Sequence, residues 1–363
     1  YGFDGGIYVT ASHNPKEYNG FKSVSKDAIL IAQNSGIDEL QGIVASEATN
    51  SGGFVSEAGA FSQKDILSEY LAFTAKKFEV KKFESFKIAI DTGNGAAGVI
   101  VPALRQILPC EISHLFGEID GSFPNHPPEP SKPENLKDLS NFVKENKMDL
   151  GVAFDGDGDR IFFVDEKGEF VSASLTLALL GEIILRQNPG EKIVYTVCMS
   201  NIVRDVVQEN KGVAIVTKIG FTFLREKMRQ ENAIFGGEFS GHYAHRDYGF
   251  CEPPLFVLFT LLQEMSQQQK TLSELVAPYK RYSFIGTVNF EVSDKQGALG
   301  AIKDHYQNGV VSCLDGIRID FNDWWFNVRF SNTEDVLRLV AESKDDNLLQ
   351  NKVAEIKQIL EPF

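Results

Sequence analysis

The chain has 363 residues, of which 43% are hydrophobic and 24% are charged, and its formal net charge at pH 7 is −14. A chain of this length is too long to fold around a single hydrophobic core, so we expect several domains. The acidic balance is opposite to the basic surface that nucleic acids and anionic membranes require, and the apolar run Leu255–Leu262 is far shorter than the ~20 residues of a membrane-spanning helix. The cysteines form no C-x-x-C pair, which favours reduced thiols and a cytoplasmic location.

Most of the chain alternates between apolar strands and helical stretches, with small polar loops after the strands. In chain order the pattern predicts strands at residues 6–11, 87–90, 150–154 and 193–197, and a helix at 175–186. Apolar strands that alternate with helices are typical of α/β domains with buried, mixed or largely parallel sheets. Ligands in such sheets bind at the carboxyl ends of the strands, so the loops after these strands are the expected sites of function.

The pattern changes after about Tyr279, where strand-like segments at residues 283–292, 316–321, 325–330 and 336–341 precede a final helix at 347–360. This order predicts a C-terminal α+β domain with an antiparallel sheet. We therefore predict four domains, with bounds 1–57, 58–168, 169–280 and 281–363. The first of them has too little sequence ahead of its first strand to complete a sheet, so we expect it to be the C-terminal part of a truncated α/β domain.

The strongest local signal is a run of three aspartates, Asp155, Asp157 and Asp159, separated by glycines directly after a predicted strand. Three carboxylates can converge on one small cation, and Mg²⁺ suits a site that also binds phosphate. A calcium loop competes with this interpretation because Glu166 falls at its twelfth position, although Arg160 stands at the sixth position, where that loop requires glycine. A solvated acidic turn is the alternative without a ligand.

A serine follows the first predicted strand, in the sequence Thr10-Ala-Ser-His-Asn-Pro. A serine at such a position is usually only a turn residue, and no G-x-S-x-G elbow accompanies it. Ser12 can instead carry a phosphoryl group, which requires positioning, a cation and charge neutralisation rather than a hydrolase triad. Lys22, in the nearby sequence Asn19-Gly-Phe-Lys, can supply a proton or a positive charge to such a site.

Two later loops offer groups that suit a sugar phosphate. In one, Glu238 and Ser240 provide an acceptor and a donor for sugar hydroxyls, and His242 is either a general acid or base or a hydrogen-bonded loop histidine. The other loop combines an arginine, two hydroxyls and an amide at a strand end, which suit a phosphate dianion but also an ordinary hairpin turn. Its residues are Arg329, Ser331, Asn332 and Thr333.

Glycines at positions 93, 95 and 98 formally match the dinucleotide-binding fingerprint, directly after a predicted strand. The acidic partner that this fingerprint requires on a second strand is not clearly placed, and a lone match is weak. We therefore interpret these glycines as a tight turn between a strand and a helix.

Taken together, in this order and spacing, the four loops resemble those of the phosphohexomutase family, and the resemblance extends over essentially the whole chain. The loops that resemble the family's phosphoserine, metal, sugar and phosphate loops are at residues 10–22, 155–160, 236–242 and 329–333. The proline-rich segment Phe123–Pro130 is similar to the bacterial phosphomannomutase/phosphoglucomutase branch rather than the phosphoglucosamine branch.

The resemblance implies three domains of related α/β topology, a last domain with an antiparallel sheet, and a mutase reaction on mannose or glucose phosphates. Phosphorylated Ser12 would donate to hexose 1-phosphate, and the bound hexose 1,6-bisphosphate would return its other phosphoryl group to leave hexose 6-phosphate. The bisphosphate is thus the implied intermediate and activator, and Mg²⁺ is the implied cofactor.

The resemblance also implies a role for each candidate residue. Ser12 and the three aspartates would ligate Mg²⁺, Arg160 would stabilise charge on the transferred group, and Lys22 and His242 would handle protons. Glu238 and Ser240 would bind sugar hydroxyls. The remaining residues would bind the phosphate that does not react: Arg329, Ser331, Asn332 and Thr333.

Three departures from the family pattern leave alternatives open. Phe221 stands where this branch often has a histidine, Cys251-Glu252 replaces the usual pair of aspartates, and the family has further residues ahead of its phosphoserine loop. A truncated or catalytically impaired homologue that only binds sugar phosphates, a phosphoglucosamine mutase and a calcium-stabilised structural module are the alternatives. The oligomeric state is not predicted.

Overall fold

The computed structural model describes residues 2–32, 35–49, 59–331 and 335–363. The chain forms two compact units, of which the first comprises Tyr1–Val164 and Pro253–Gln267 and the second comprises Asp165–Glu252 and Gln268–Phe363. No helix in these described ranges is both long and apolar enough to cross a membrane. The four cysteines are free thiols, as their spacing predicted. The predicted domain boundary at residue 57 lies outside the described residues, and the other predicted bounds stay predictions.

The secondary structure alternates through most of the chain, as the sequence pattern predicted. The helices, in chain order, are α1 (Ile37–Thr49), α2 (Leu67–Ala75), α3 (Val101–Ile107), α4 (Lys137–Asn146), α5 (Ala173–Gln187), α6 (Asn201–Glu209), α7 (Phe221–Glu231), α8 (Pro254–Gln268), α9 (Leu272–Val276), α10 (Lys295–His305) and α11 (Asp346–Leu360). The strands are β1 (Gly5–Val9), β2 (Phe21–Ser25), β3 (Ile29–Leu30), β4 (Lys87–Asp91), β5 (Glu111–Leu115), β6 (Leu150–Phe154), β7 (Ile161–Val164), β8 (Phe170–Val171), β9 (Lys192–Thr196), β10 (Val213–Thr217), β11 (Phe235–Gly237), β12 (Tyr243–His245), β13 (Ser283–Phe284), β14 (Val288–Phe290), β15 (Val310–Ser312), β16 (Ile317–Asp320), β17 (Trp324–Phe330) and β18 (Leu337–Ser343).

The first unit begins with a three-stranded antiparallel sheet in the order β1-β2-β3. The sequence pattern grouped the first strand with the parallel layers, but the connection from β1 to β2 spans only residues 10–20, and parallel strands require a crossover of about a dozen or more residues. The register pairs Tyr8 with Lys22, which places their side chains on the same face of the sheet. The other face carries Ile7, which is 73% exposed.

The second sheet of the first unit contains the strands β5-β4-β6-β7 in that order. Strand β4 runs parallel to β5 and β6, and β7 returns antiparallel to β6, so the sheet is mixed. Every residue of β6 is buried because helices such as α4, through Leu139 and Val143, cover the sheet. The loop that carries the three aspartates connects β6 to β7.

A sheet of the second unit repeats this arrangement. Its order is β10-β9-β11-β12, with β9 parallel to both β10 and β11 and with β12 antiparallel to β11. In both sheets the first strand along the chain therefore lies between the second and the third, and a fourth strand returns antiparallel at the side of the third. This match supports the predicted relationship between the α/β parts of the chain. The loop with Glu238, Ser240 and His242 connects β11 to β12.

The C-terminal part of the second unit contains an antiparallel sheet in the order β13-β18-β17-β16-β15, with β14 also paired to β18. Helices α10 and α11 pack against it through a core that includes Ile302, Phe326, Leu339 and Ile356. This is the predicted α+β architecture. Helix α10 was not among the predicted elements. It begins where the Asp294 carboxylate accepts a hydrogen bond from the backbone N–H of the third following residue at 2.8 Å.

Candidate active site

The three aspartates lie in a tight loop that folds around Asp155, the first residue after β6. Asp155 is completely buried, and its Oδ1 atom accepts hydrogen bonds from the backbone N–H groups of Gly158 at 3.0 Å and Arg160 at 3.1 Å. The Arg160 Nε atom lies 3.4 Å from Asp155 Oδ2. Gly158 has φ of +75°, which glycine adopts without strain. The buried strand and these bonds thus fix the first carboxylate of the triplet.

The other two aspartates share one cation from the first sheet. Lys22 Nζ lies 2.6 Å from Asp157 Oδ2 and 2.5 Å from Asp159 Oδ2, although 135 and 137 residues separate the partners in sequence. Burial lowers the pKa of Lys22, but the charge of Asp159 and hydrogen bonds to both carboxylates outweigh burial and raise that pKa above its ordinary value. Lys22 therefore provides a positive charge beside the triplet.

The Ser12 side chain lies beside the first carboxylate of the triplet. Its Oγ atom lies 3.4 Å from Asp155 Oδ2 and 3.3 Å from His13 Nδ1. Ser12 itself has φ of +57°, in the left-handed region that non-glycine residues adopt at a cost and that is enriched at functional sites. The hydroxyl and the aspartate triplet, which the sequence separates by more than 140 residues, thus meet in one site of the first unit, as the mutase hypothesis requires.

Glycine permits the close approach of these two loops. A Cβ atom on Gly156 would lie 2.4 Å from the carbonyl oxygen of Ser12, and one on Gly95 would lie 2.6 Å from the carbonyl oxygen of Gly156. The backbone N–H of Ala96 donates to that same Gly156 carbonyl at 2.9 Å. The glycine motif after β4 is therefore the predicted turn, and it packs against the backbone of the metal loop.

The donors present fit a small, hard cation such as Mg²⁺. Oxygen atoms from Asp155, Asp157 and Asp159 lie within 4.8 Å of one another. Asp157 Oδ1 is buried and accepts no hydrogen bond from the described residues, so this oxygen is available as a metal ligand. The calcium-loop alternative is not supported, because Glu166 instead accepts hydrogen bonds from the backbone N–H of Ser273 at 3.2 Å and from its hydroxyl at 2.5 Å.

Two further residues, which no sequence pattern singled out as functional, support this site. Thr10 donates to Asp157 Oδ2 at 3.0 Å, and its alternation with Tyr8 along the strand was the available signal. His126 Nε2 lies 3.1 Å from Asp91 Oδ2. Burial lowers the pKa of His126, but the hydrogen bond and charge of Asp91 outweigh burial and raise it. This pair attaches the proline-rich segment to the end of β4, next to the glycine turn.

In the second unit, the predicted sugar loop forms a compact group of polar side chains. Buried Glu238 accepts hydrogen bonds from the Gly220 N–H at 2.8 Å and the Ser240 hydroxyl at 3.1 Å, and its Oε2 atom lies 3.2 Å from His242 Nδ1. Burial raises the pKa of Glu238, but the hydrogen bond and charge of His242 and the other donors outweigh burial and lower it. The structure therefore brings together the three residues that the sequence analysis selected here.

Two of the three departures from the family pattern, Phe221 and Cys251, lie in the second unit. Phe221 stacks on the imidazole of His242, with ring centroids 4.8 Å apart. The Cys251 Sγ atom lies 3.1 Å from Arg225 Nη2. Phe221 thus presents an apolar ring to His242, at the position where the resemblance led us to expect a histidine.

The predicted phosphate loop follows β17. Arg329 is the second-last residue of that strand, and its Nη1 atom donates to the carbonyl oxygen of Phe330 at 3.0 Å. The backbone N–H of Ser331 donates to the carbonyl oxygen of Val336 at 2.9 Å. Asn332 and Thr333 lie outside the described residues.

Comparisons with known proteins found similar domains along the whole chain. Four domains described as phosphoglucomutase/phosphomannomutase match the chain: domain I at residues 1–51, domain II at 68–168, domain III at 173–282 and the C-terminal domain at 288–359.

Individual relatives extend over nearly the whole chain. A phosphomannomutase of Vibrio cholerae is 38% identical over 371 residues, which cover 99% of this chain and 79% of the relative. A phosphomannomutase of Methanocaldococcus jannaschii is 36% identical over 361 residues, with 99% and 79% covered. The crystal structure of a phosphoglucomutase/phosphomannomutase family protein from Burkholderia thailandensis superposes with a TM-score of 0.84 at 30% identity and covers 99% of this chain and 77% of that protein. The chain belongs to the phosphoglucomutase/phosphomannomutase family.

Proposed function

We propose that this chain is a phosphomannomutase/phosphoglucomutase that carries the transferred phosphoryl group on Ser12. The observation that supports this proposal most directly is the position of Ser12 Oγ, 3.4 Å from Asp155 Oδ2, beside three aspartates and Lys22. Phosphoryl transfer depends on positioning and on compensation of phosphate charge, and the aspartates with a bound cation and Lys22 would supply both.

In the proposed reaction, the free hydroxyl of a hexose 1-phosphate attacks the phosphorus atom on phosphorylated Ser12. A new bond forms between the sugar oxygen and phosphorus, the bond between Ser12 Oγ and phosphorus breaks, and the hydroxyl loses its proton. The hexose 1,6-bisphosphate then returns its other phosphoryl group to Ser12 and leaves as hexose 6-phosphate. Lys22 and His242 are the candidates for handling the protons of these two steps.

The charged residues of the chain supply the electrostatic part of the mechanism. Asp155, Asp157 and Asp159, together with the phosphorylated Ser12, would ligate Mg²⁺, which when bound would neutralise phosphate oxygens. Arg160, held at 3.4 Å from Asp155, would stabilise charge on the group that is being transferred.

The residues of the second unit are proposed to bind the substrate. Glu238 and Ser240 offer an acceptor and a donor for sugar hydroxyls, and Arg329 with Ser331 offers donors for the phosphate that does not react. Asn332 and Thr333 belong to the same proposed phosphate loop by sequence. Because a phosphate group looks the same from either end of the sugar, such a loop can hold both orientations of the bisphosphate.

The decisive experiment combines a mass measurement with an activity measurement on Ser12→Ala. Mannose 1-phosphate and glucose 1-phosphate consumption is measured with Mg²⁺ and a trace of hexose 1,6-bisphosphate, and intact mass reports a phosphoryl group on the chain. Ser25→Ala is the matched control, because Ser25 lies at the exposed end of β2 and its hydroxyl donates to the carbonyl oxygen of Ile29 at a long distance of 3.5 Å.

We expect the wild type and Ser25→Ala to turn over at least one of the two hexose phosphates and to carry phosphate, and Ser12→Ala to do neither. Turnover by Ser12→Ala would refute the assignment of the phosphoserine. A wild type that binds hexose phosphates without phosphate on Ser12 and without turnover would instead identify a binding protein.

A further inference from the structure

Thr10 lies between the two loops that meet at the candidate active site. It follows β1 directly, and its backbone N–H donates to the carbonyl of Gly20 at 2.9 Å, which continues the pairing of the β1–β2 hairpin by one residue. Alternation along this strand places Thr10 on the same face as Tyr8, whose hydroxyl donates to the backbone carbonyl of Asp157 at 3.3 Å. The Thr10 side chain therefore points to the metal loop, and its backbone is held by the pairing with β2.

The hydroxyl of Thr10 makes two hydrogen bonds of opposite sense. It accepts from the backbone N–H of Ser12 at 2.8 Å, and it donates to Asp157 Oδ2 at 3.0 Å. A hydroxyl can do both at once because it has one donor and two acceptor positions. One oxygen atom thus joins the serine that would carry phosphate to a carboxylate that would ligate the metal, across 147 residues of sequence.

We propose that Thr10 is a positioning residue for phosphoryl transfer. Its one hydroxyl fixes the position of Ser12 relative to Asp157. This inference rests on the proposed function. The bond to the Ser12 N–H stabilises the left-handed backbone at Ser12, where φ is +57°, and so keeps Oγ near Asp155. The bond to Asp157 occupies Oδ2, which lies 2.6 Å from Lys22 as well, and leaves the buried Oδ1 atom for a cation.

Serine and valine at position 10 separate the hydroxyl from the size and shape of threonine. Thr10→Val keeps the branched shape and removes both hydrogen bonds, whereas Thr10→Ser keeps the hydroxyl and removes a methyl group. Thr74→Val is the matched control: Thr74 lies in α2 of the same unit, is completely buried, and its hydroxyl has no hydrogen-bond partner in the described residues. That substitution is therefore expected to change neither binding nor turnover.

Two readouts are measured on each full-length variant: Mn²⁺ binding by electron paramagnetic resonance, which needs no turnover, and kcat for hexose 1-phosphate at saturating Mg²⁺. We expect Thr10→Val to weaken Mn²⁺ binding about 10-fold and to lower kcat about 10- to 100-fold, the range found when partners of metal ligands are removed. Thr10→Ser should stay within about 3-fold of the wild type in both, which a purely structural role of the methyl group would not produce.

The inference is overturned if Thr10→Val binds Mn²⁺ and turns over like the wild type, or if Thr10→Ser is impaired as strongly as Thr10→Val. A Thr10→Val variant that does not fold leaves Thr10→Ser as the deciding variant, because its retained binding supports the role of the hydroxyl and its loss rejects it. An inactive wild type would contradict the proposed function alone, since Mn²⁺ binding by the same variants still decides the role of Thr10.

Discussion

Replacement of Gly156 by alanine tests the contact between the metal loop and the Ser12 loop. The added Cβ would lie 2.4 Å from the Ser12 carbonyl oxygen, while ordinary van der Waals contact begins at 3.4 Å, so the two backbones must separate by about 1.0 Å. Neither side can yield as a flexible side chain would, because the contact is with backbone, and Pro128 lies 3.3 Å away on another side. A misplacement of about 1 Å between reacting groups costs about 100-fold in rate, and overpacking costs about 1–3 kcal/mol of stability.

We therefore expect Gly156→Ala to lower kcat about 100-fold for hexose 1-phosphate and to lower the melting temperature by a few degrees. Mn²⁺ binding by the same variant reports whether the carboxylates of the metal loop have moved as well. Gly121→Ala is the control, since a Cβ there meets nothing within 4 Å. Turnover of Gly156→Ala within about 3-fold of the wild type would refute the argument that this glycine sets the distance between the loops.

Three further predictions follow from charges at the site. Asp157→Asn removes the charge of the carboxylate whose Oδ1 atom accepts no hydrogen bond from the described residues. The Mg²⁺ concentration for half-maximal turnover should therefore rise about 10- to 100-fold. Chelation of Mg²⁺ should abolish turnover by the wild type. Arg329→Ala removes a charged donor from the proposed phosphate loop and should raise KM for hexose 1-phosphate about 10-fold or more with a smaller change in kcat; an effect confined to kcat would argue against phosphate binding. The pKa of Glu238 is lowered in the folded chain, so the stability that this carboxylate provides is present above its ordinary pKa of 4.5 and is lost as pH falls through the folded value. Urea unfolding at about pH 7 and about pH 4 should therefore show a smaller loss of stability on acidification for Glu238→Gln than for the wild type, and equal losses would contradict this sign.

The parts of the site that could be predicted from the sequence are those with a local pattern. The residues of β6 are all apolar and Asp155 follows them directly, so both the buried strand and the position of the first carboxylate could be predicted from about ten consecutive residues. The same holds for the group of Glu238, Ser240 and His242, which lie within one short hairpin. The family resemblance of the chain is confirmed by the matches to all four domains, whereas the roles of these residues stay predictions.

The parts that could not be predicted depend on contacts between distant segments. Alternation with Tyr8 shows only which face of the strand Thr10 occupies, and Gly156 looks like an ordinary turn residue in the sequence. Their contacts to Asp157 and Ser12 span more than 140 residues and have no local pattern. The direction of β1 was also misjudged, because its apolar residues predict a strand but do not state which neighbour it pairs with. The short connection to β2 favours antiparallel pairing, but β2 was not among the predicted strands, so the length of this connection could not be used.

The repeated sheet explains why two loops with different chemistry occur at corresponding places. Asp155 and Glu238 each follow the last residue of the third strand of a mixed sheet, ahead of an antiparallel fourth strand, and both are buried carboxylates that accept backbone N–H bonds. A buried carboxylate at this point is costly unless its bonds are satisfied, so the fold supplies the position and the amide donors in both sheets. The next few residues then distinguish the two loops. Further aspartates after Asp155 complete the proposed cation site, whereas a serine and His242 after Glu238 form the group of donors and acceptors that we propose for sugar hydroxyls.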